Sequence, residues 1–496
     1  MRIIYATSEL DEWIEVAKQM DDKFALKPIY WITTPKTTSS VSKAFPSVIT
    51  QDYIDAVRGV YTNIDNFDYR ISLDKVILEK YLCYEKVALK MMDRMDPTAY
   101  SFNSSERVQL YYDFLSYWIN IITFLKPDYV LFSESPHALF HYILYAVCVE
   151  NDIKILKFTP THINGLTFLS SFIDKTPIDL EEQYSKLLKD CNNLNYEIAT
   201  NYLASKRDNY QKALPYYMED IVKKSTILES MNKYKDKLIR FVRNRVFTAY
   251  KKGSSYSLHD ENIMKINLIY YKIRGLFVKY KLKKSYDKLA IKVDFNQPYI
   301  YVALHYQPEK TTSPEGGVFA DQWLMIHMLS TLAPSDWKIY VKEHISQFSQ
   351  KLYGEQGRNH DFYINIASLK NVQLLKSEIN SFDLIDHSKV VATVTGTVGL
   401  ESVIRGKPVF SFGYAWYKIC KGVIDIKSST DLQKAFNFIE DGYVINPEDV
   451  DAFLYAVEDI SYLCYLNYGN KMGVSFAEEE NIENLVSCLS NYFNKI

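Results

Sequence analysis

Residues 390–410 read VVATVTGTVGLESVIRGKPVF, and the predicted fold class follows from this pattern. The apolar run over 390–395 predicts a buried strand, and a turn of glycines and hydroxyl side chains follows it. A helix is predicted from Gly399 to Arg405, and the next strand begins at Pro408. A buried strand, a helix and a second buried strand in this order are typical of a parallel sheet covered by helices.

The same alternation extends through the second half of the chain. Apolar runs predict strands at 299–304, 337–342, 372–375, 390–395 and 408–412, and apolar residues at helical spacing predict helices at 318–333, 381–388 and 399–405. We therefore expect a doubly wound, Rossmann-like domain over 297–476 and a C-terminal helix over 477–496.

The first 177 residues show the alternation as well. Strands are predicted at 2–7, 28–33, 128–132 and 153–158, and helices at 9–20, 74–96, 106–125 and 137–150. No GxGxxG follows any of these strands, so a dinucleotide-binding dehydrogenase gains no support. The sequence predicts an α/β protein of two Rossmann-like, doubly wound domains that face each other across a cleft. Ligands are expected there, outside the carboxyl ends of the strands.

A helical, basic segment over 178–296 separates the two predicted domains. Residues 221–292 hold 19 Lys and Arg against five acids, a net charge of +14, whereas the whole chain carries -2 and the remainder therefore -16. One interpretation is a solvated helical insertion whose apolar face packs on the protein. The other is a surface that docks on anionic lipid or a lipid-linked acceptor. Nucleic acid is a poorer interpretation because no recognition fingerprint accompanies the charge.

Composition indicates a folded protein of a reducing compartment. The hydrophobic fraction is 47% and the charged fraction 24%, as in globular chains. The six cysteines form no CxxC pair, which argues against a zinc ribbon and a disulfide scaffold. The N-terminus has no apolar signal region, and no window of about 18 uncharged apolar residues occurs. We expect a cytoplasmic location, with the basic segment 221–292 on the inner face of the cytoplasmic membrane.

Two predicted strand ends in the second domain carry polar side chains suited to a phosphate. Lys-Glu-His follows strand 337–342, and a histidine there can donate a hydrogen bond to a phosphate oxygen. Thr-Gly-Thr follows strand 390–395, where hydroxyls, backbone amides and a helix N-terminus can bind phosphate. An ordinary loop histidine and an ordinary capped turn are the structural alternatives. The predicted nucleotide-binding residues are Lys342, Glu343, His344, Thr395, Gly396, Thr397 and Glu401, the last for ribose hydroxyls.

Further acid–base candidates lie near other predicted strand ends. Glu315 lies in a loop that contains two adjacent glycines, and Asp321 is predicted in the first turn of helix 318–333, where a carboxylate also suits the helix dipole. Glu134 and His137 follow strand 128–132 of the first domain. The predicted catalytic residues are Asp321, His344, Glu134, His137 and Glu315, and no metal site is predicted.

Three segments of the second domain carry a family resemblance. LHYQPEKTTSPEGGVFADQ at 304–322, YVKEH at 340–344 and TVTGTVGLESVIRGKPVFSFGYAWY at 393–417 resemble the bacterial capsular polysaccharide biosynthesis proteins, a group related to the Kdo transferases. The resemblance implies the GT-B arrangement of two Rossmann-like domains and metal-independent sugar transfer without a cofactor. Its substrates would be a nucleotide sugar and a glycan or lipid-linked acceptor.

The same resemblance implies a donor and two site residues. In members that use CMP-activated ulosonic acids, such as Kdo or a nonulosonic acid, a His-Pro pair binds the donor phosphate. His344 matches that histidine, and Ile345 stands in the place of the proline. In similar bacterial sialyltransferases, an acidic catalytic residue precedes the histidine by an interval comparable to that from Asp321 to His344.

Two other functions remain open on the same scaffold. A nucleotide-sugar 2-epimerase shares the two-domain architecture but has no use for the +14 segment. A non-catalytic, membrane-docked assembly factor would keep the fold without the activity, and Ile345 in the place of proline is the feature that favours it.

Overall fold

A computed structural model describes residues 1–496 except 7, 9, 65–70, 97–102, 162, 191–194, 209–247, 251–261, 310, 468–470, 472–475 and 496. The chain divides into two compact units. The first comprises residues 1–92, 102–202 and 451–496, and the second comprises residues 93–101 and 203–450.

The strands and helices alternate through both units. The strands are β1 (Arg2–Tyr5), β2 (Lys27–Thr33), β3 (Ile49–Asp52), β4 (Tyr129–Phe132), β5 (Lys154–Pro160), β6 (Leu166–Ser170), β7 (Thr248–Tyr250), β8 (Asn262–Met264), β9 (Tyr299–Ala303), β10 (Lys338–Lys342), β11 (Val372–Leu374), β12 (Val390–Thr393), β13 (Val409–Ser411), β14 (Val423–Asp425) and β15 (Tyr462–Leu463). The helices are α1 (Glu12–Phe24), α2 (Thr38–Ala44), α3 (Tyr53–Val57), α4 (Lys75–Met91), α5 (Ser104–Leu125), α6 (Leu139–Glu150), α7 (Ile178–Leu187), α8 (Glu197–Asp208), α9 (Lys265–Leu289), α10 (Thr312–Glu315), α11 (Trp323–Leu332), α12 (His360–Ser368), α13 (Ser381–His387), α14 (Thr397–Ile404), α15 (Ser429–Glu440), α16 (Pro447–Ile460) and α17 (Glu478–Asn494).

The first unit is built on a seven-stranded sheet. Its strand order is β15-β6-β5-β4-β1-β2-β3. The five strands from β5 to β3 pair in parallel, whereas β6 and β15 pair antiparallel at one edge. β4 is buried along its whole length, as a strand covered by helices on both faces must be.

The second unit is built on a six-stranded sheet in which every pair is parallel. The order β11-β10-β9-β12-β13-β14 places β9 and β12 side by side at the centre. Ile300, Ile339 and Phe410 lie in its core without solvent exposure. Two parallel-sheet α/β units confirm the predicted fold class.

The C-terminal helix packs into the first unit. Leu485 and Leu489 on α17 are fully buried in the same core as Trp13 of α1. Residues 178–202 also belong to this unit, whereas α9 belongs to the second. The expected boundaries at 177, 296 and 476 therefore do not coincide with the limits of the compact units, because apolar packing joins segments that are distant in sequence.

The described part of the basic segment is partly extended and partly helical. β7 and β8 form a two-stranded antiparallel sheet, so the expectation of helices alone is wrong there. The predicted helices over 209–247 and 251–261 lie outside the described residues. α9 follows the hairpin, and its Leu282 and Tyr286 are buried in the second core. Among the described residues, no helix combines the length and the apolar composition that crossing a membrane requires.

Candidate functional site

Four loops meet at the carboxyl edge of the second sheet, because the strands that they follow are parallel. They follow β9, β10, β12 and β13. The backbone N–H of Phe412 donates to the Thr393 carbonyl over 3.0 Å, and that of Gly413 to the Val394 carbonyl over 2.9 Å. Ligands of doubly wound sheets bind at such an edge.

His305, directly beyond β9, joins two of these loops. Its Nε2 lies 3.2 Å from the backbone nitrogen of Thr395 and 3.1 Å from the hydroxyl of Thr393. A backbone N–H donates, so Nε2 accepts and the ring proton is on Nδ1. Nδ1 lies 3.3 Å from a carboxylate oxygen of Glu309 and donates to it. The buried imidazole thus fixes the turn after β12 to the loop after β9.

Glu309 is held as an anion by this arrangement. Burial alone favours the neutral acid, but the hydrogen bond from His305 outweighs it, so the pKa of Glu309 lies below its usual value. The carboxylate in turn accepts from the His305 ring, and its negative charge acts on the pKa of His344, the ring that the sequence predicted for phosphate binding.

His344 is a neutral hydrogen-bond donor at neutral pH. Its Nδ1 accepts from the backbone N–H of Ser346 over 3.2 Å, so the neutral ring carries its proton on Nε2. Burial lowers the pKa of His344 below its usual value, and the negative charges of Glu309 and Glu343 oppose that shift in part. Among the described residues, Nε2 makes no hydrogen bond and remains available to a ligand.

The backbone at His344 suits a proline at the next position. Its φ of -65° and ψ of 133° lie in the extended region to which a residue before proline is restricted. Ile345 begins a short 3₁₀ helix, and its side chain is exposed. The backbone of His344 therefore has the conformation that it would have in a His-Pro pair, although isoleucine follows it.

Glu343 lies in a buried network and not at a ligand surface. One carboxylate oxygen accepts from Arg358 Nε over 2.9 Å and from the Tyr363 hydroxyl over 2.7 Å, and the other accepts from the His344 backbone N–H over 2.8 Å. Arg358 also donates to the His305 carbonyl over 3.1 Å. The prediction that Glu343 binds nucleotide is corrected: its carboxylate is fully buried, and it positions the strand end.

Two more of the predicted nucleotide-binding side chains, Lys342 and Glu401, contact other segments of the second unit. The Lys342 amine donates to the Ile379 carbonyl over 2.5 Å and to the Ser381 hydroxyl over 2.9 Å. Burial lowers its pKa to about 8. Glu401 on α14 pairs with Lys206 over 2.8 Å, and burial raises the pKa of this carboxyl. Both side chains hold neighbouring segments of the second unit, and their part in nucleotide binding, for Glu401 at the ribose, stays a prediction.

The turn that the sequence predicted for phosphate binding has the required shape. Gly396 caps α14, and a Cβ there would lie 2.9 Å from the Thr393 hydroxyl and 3.1 Å from His305 Cε1, so only glycine fits without a shift. The Thr395 hydroxyl oxygen is buried and has no hydrogen-bond partner among the described residues. Thr397 begins α14, whose first backbone amides have no partner within the helix.

The predicted carboxylates of the second unit lie on the segment between β9 and α11. Asp321 is exposed and precedes α11, which begins at Trp323, so its expected place in the first helical turn is wrong. Gln322, with a φ of 66°, caps the helix instead. Glu315 ends α10, and its carbonyl accepts from the Tyr414 N–H over 2.9 Å. A Cβ on Gly413 would lie within 3.0 Å of Thr395 and Glu315 atoms, so Glu315 borders the phosphate turn.

Glu134 and His137 both belong to the first unit. Both follow β4, as predicted, and both are partly buried. Glu134 accepts from the side-chain amide of Asn467 over 3.1 Å. Their part in catalysis stays a prediction.

The sequence interpretation missed His305, Glu309 and Arg358. His305 stands directly after a strand, the same position that singled out His344, so the signal was present in LHYQPEK at 304–310. Arg358 follows no strand, and its role arises from packing. No three His, Cys, Asp or Glu side chains of the described ranges come together as a metal ion would require.

A family model matches the part of the chain that contains the carboxyl edge of the second sheet. The model of the family described as capsule polysaccharide biosynthesis protein matches residues 200–437, which include β9 to β14. The similarity to that family therefore extends over just under half of the chain. The resemblance drawn from the three sequence segments is confirmed, and the capsule-biosynthesis segment contains both histidines and the Thr395 turn. No curated protein matches the chain.

Several solved structures are similar at low TM-scores. The β-Kdo 2,7-transferase of Thermosulfurimonas dismutans KpsC is 17% identical, with 44% of this chain and 66% of that chain covered and a TM-score of 0.23. The β-Kdo 2,4-transferase of the same protein is 13% identical, with coverage of 73% and 87% and a TM-score of 0.28. UDP-GlcNAc 2-epimerase from Neisseria meningitidis is 10% identical, with full coverage of both chains and a TM-score of 0.24. The family similarity rests on the match of the capsule-biosynthesis segment alone.

We predict that Glu343→Gln destabilises the second unit by about 3–5 kcal/mol, because it leaves the Arg358 charge buried without its partner. The measurement is urea unfolding followed by circular dichroism. Lys283→Gln is the control, since it breaks the exposed Lys283–Asp287 pair and should cost at most about 1 kcal/mol. Equal stability of Glu343→Gln and wild type would show that the network does not hold the strand end.

Proposed function

We propose that this protein is a metal-independent glycosyltransferase of capsule or surface-polysaccharide biosynthesis. The donor is a nucleotide sugar whose phosphate binds at the carboxyl edge of the second sheet. The observation that carries the proposal is the grouping of neutral donors there: the His344 Nε2–H, the buried Thr395 hydroxyl without a partner, and the first amides of α14.

These donors suit a phosphate that gains charge as it leaves. The acceptor hydroxyl oxygen bonds to the anomeric carbon, the bond from that carbon to the phosphate oxygen breaks, and the nucleotide departs with the bonding electron pair. Hydrogen bonds from preorganised donors stabilise the developing negative charge without a metal ion. His305 holds the Thr395 amide, and the Ser346 N–H holds Nδ1 of His344, so the donors need little rearrangement.

Asp321 is the proposed carboxylate for the other half of the reaction. Its side chain is exposed on the turn before α11, so a sugar hydroxyl can reach it. As a base it takes the acceptor proton, and as a nucleophile it forms a glycosyl–enzyme intermediate. The two mechanisms give opposite stereochemistry. Glu315 beside the phosphate turn, and Glu134 and His137 of the first unit, are the proposed assisting groups.

The donor and acceptor classes follow from the family resemblance. We propose a CMP-activated ulosonic acid, such as Kdo or a nonulosonic acid, and a glycan or lipid-linked glycan acceptor at the cytoplasmic face of the membrane. The similarity of residues 200–437 to the capsule-biosynthesis family and the match of His344 to the donor-phosphate histidine support this choice. Transfer is proposed over the two alternatives because an epimerase has no use for the +14 segment, and because the backbone of His344 keeps the conformation of a His-Pro pair although Ile345 replaces the proline.

We predict that His344→Asn weakens CMP binding by about 10- to 150-fold, the cost of about 1.5–3 kcal/mol for one hydrogen bond to a charged group. Isothermal titration with CMP, UDP and GDP measures it and tests the preference for CMP. His327→Asn is the control, because His327 is an exposed histidine on α11. The gap between wild type and His344→Asn should widen as pH falls below neutral, since bound phosphate favours the imidazolium and raises the lowered pKa of His344. Equal affinities at every pH would remove His344 from the phosphate site.

We predict that Asp321→Asn keeps CMP affinity near the wild-type value and lowers turnover by about 100-fold or more, because it removes the base or nucleophile but no phosphate donor. Release of CMP from a CMP-sugar, with mass spectrometry of the glycan product, provides the readout. Glu315→Gln, assayed alongside, separates the two carboxylates. Full turnover of Asp321→Asn with loss in Glu315→Gln would move the catalytic role to Glu315.

A further inference from the structure

A second concave site lies in the second unit, between α9 and the segment that leads into α12. It is a pocket of about 850 Å³, within the range that holds small ligands. Tyr271 and Leu289 line its α9 side, and Gln356 and Ile364 line the opposite side. Arg358, which supports the loops of the candidate site, also lines this pocket, but none of the groups proposed to contact the substrates does.

The α9 side of the pocket is strongly cationic. Lys281, Lys284 and Lys288 line it at the spacing that places them on one helical face. All three are exposed, and they have no ion-pair partner among the described residues. The acid that lines the pocket, Glu355, lies 3.5 Å from the amine of Lys279, so its charge is compensated. Three uncompensated cations attract an anionic group.

The interior of the pocket is apolar, with one unsatisfied amide. Val278, Leu282 and Leu289 of α9 face Ile364 of α12 across it. Gln356 lines the same space, and its Nε2 is buried without a hydrogen-bond partner among the described residues. A ligand that fits these features has an anionic head and an apolar body, with an oxygen that can accept from Gln356.

Large aromatic side chains lie beside the lysines on the same helix. Tyr270 is 61% exposed, Phe277 45% and Tyr280 52%. Exposed aromatics next to lysines are typical of helices that rest in the headgroup region of an anionic bilayer. The apolar and cationic surface of the pocket therefore continues onto the exposed side of α9.

We propose that this pocket binds an anionic membrane phospholipid. The phosphate lies among Lys281, Lys284 and Lys288, and the glycerol and first acyl carbons lie against the apolar side chains of the pocket. The exposed aromatics of α9 enter the headgroup region and hold the second unit on the membrane. The inference is independent of sugar transfer, and it gives the basic segment an occupant of defined chemistry.

The test is flotation of the full chain with vesicles of phosphatidylglycerol and phosphatidylcholine, and with phosphatidylcholine alone. Binding to the anionic vesicles is expected, and the triple variant Lys281→Gln, Lys284→Gln, Lys288→Gln should lower the partition coefficient by about 100-fold, since each lysine near such a surface contributes about a factor of five. A matched triple variant, Lys370→Gln, Lys389→Gln, Lys434→Gln, removes the same charge from exposed positions outside the pocket and should bind nearly as wild type.

A second variant separates the pocket from general surface charge. Ser285→Trp fills the pocket without changing charge and should abolish binding of short-chain, monomeric phosphatidylglycerol in calorimetry. Its circular dichroism and CMP affinity report that the unit is folded. The proposal is overturned if anionic vesicles do not bind, if both triple variants lose binding equally, or if Ser285→Trp binds the monomeric lipid as wild type does. It is also overturned if inorganic phosphate or CMP occupies the pocket in preference to the lipid.

Discussion

The candidate site depends on one buried imidazole. His305 accepts the backbone N–H of Thr395 and donates to Glu309, so a single ring fixes the turn after β12 to the loop after β9. The absence of a Cβ at Gly396 allows this approach. A protonated Nε2 could not accept from Thr395, so the shape of the turn requires the neutral ring with its proton on Nδ1.

The protonation states of Glu309 and His344 complete the site around His305. Glu309 is kept ionised, and His344 is kept neutral by burial, with its own proton on Nε2. Arg358 supports both loops, because it donates to the His305 carbonyl and to the Glu343 carboxylate. The result is a set of preorganised neutral donors, which is what a departing nucleotide phosphate needs.

The sequence predicted those features that depend on local pattern. Apolar runs located β10 and β12, and the rule that ligands gather at strand ends singled out His344 and the Thr395 turn. β14 was missed because all three of its residues are only partly buried and its apolar run is short. Glu343 and Glu401, two of the predicted nucleotide-binding residues, are paired with Arg358 and Lys206, 15 and 195 residues away. Pairings of this kind arise from tertiary packing, and residue spacing does not reveal them.

Long-range ¹H–¹⁵N NMR of protein labelled with ¹⁵N-histidine tests the central claim most directly. The chain has nine histidines, and the spectra of His305→Asn and His344→Asn assign the two rings. We expect His305 to be protonated on Nδ1 and His344 on Nε2, and we expect the His344 Nε2 signal to shift when CMP is added. A His305 ring protonated on Nε2, or a His344 signal unchanged at saturating CMP, would contradict the claim.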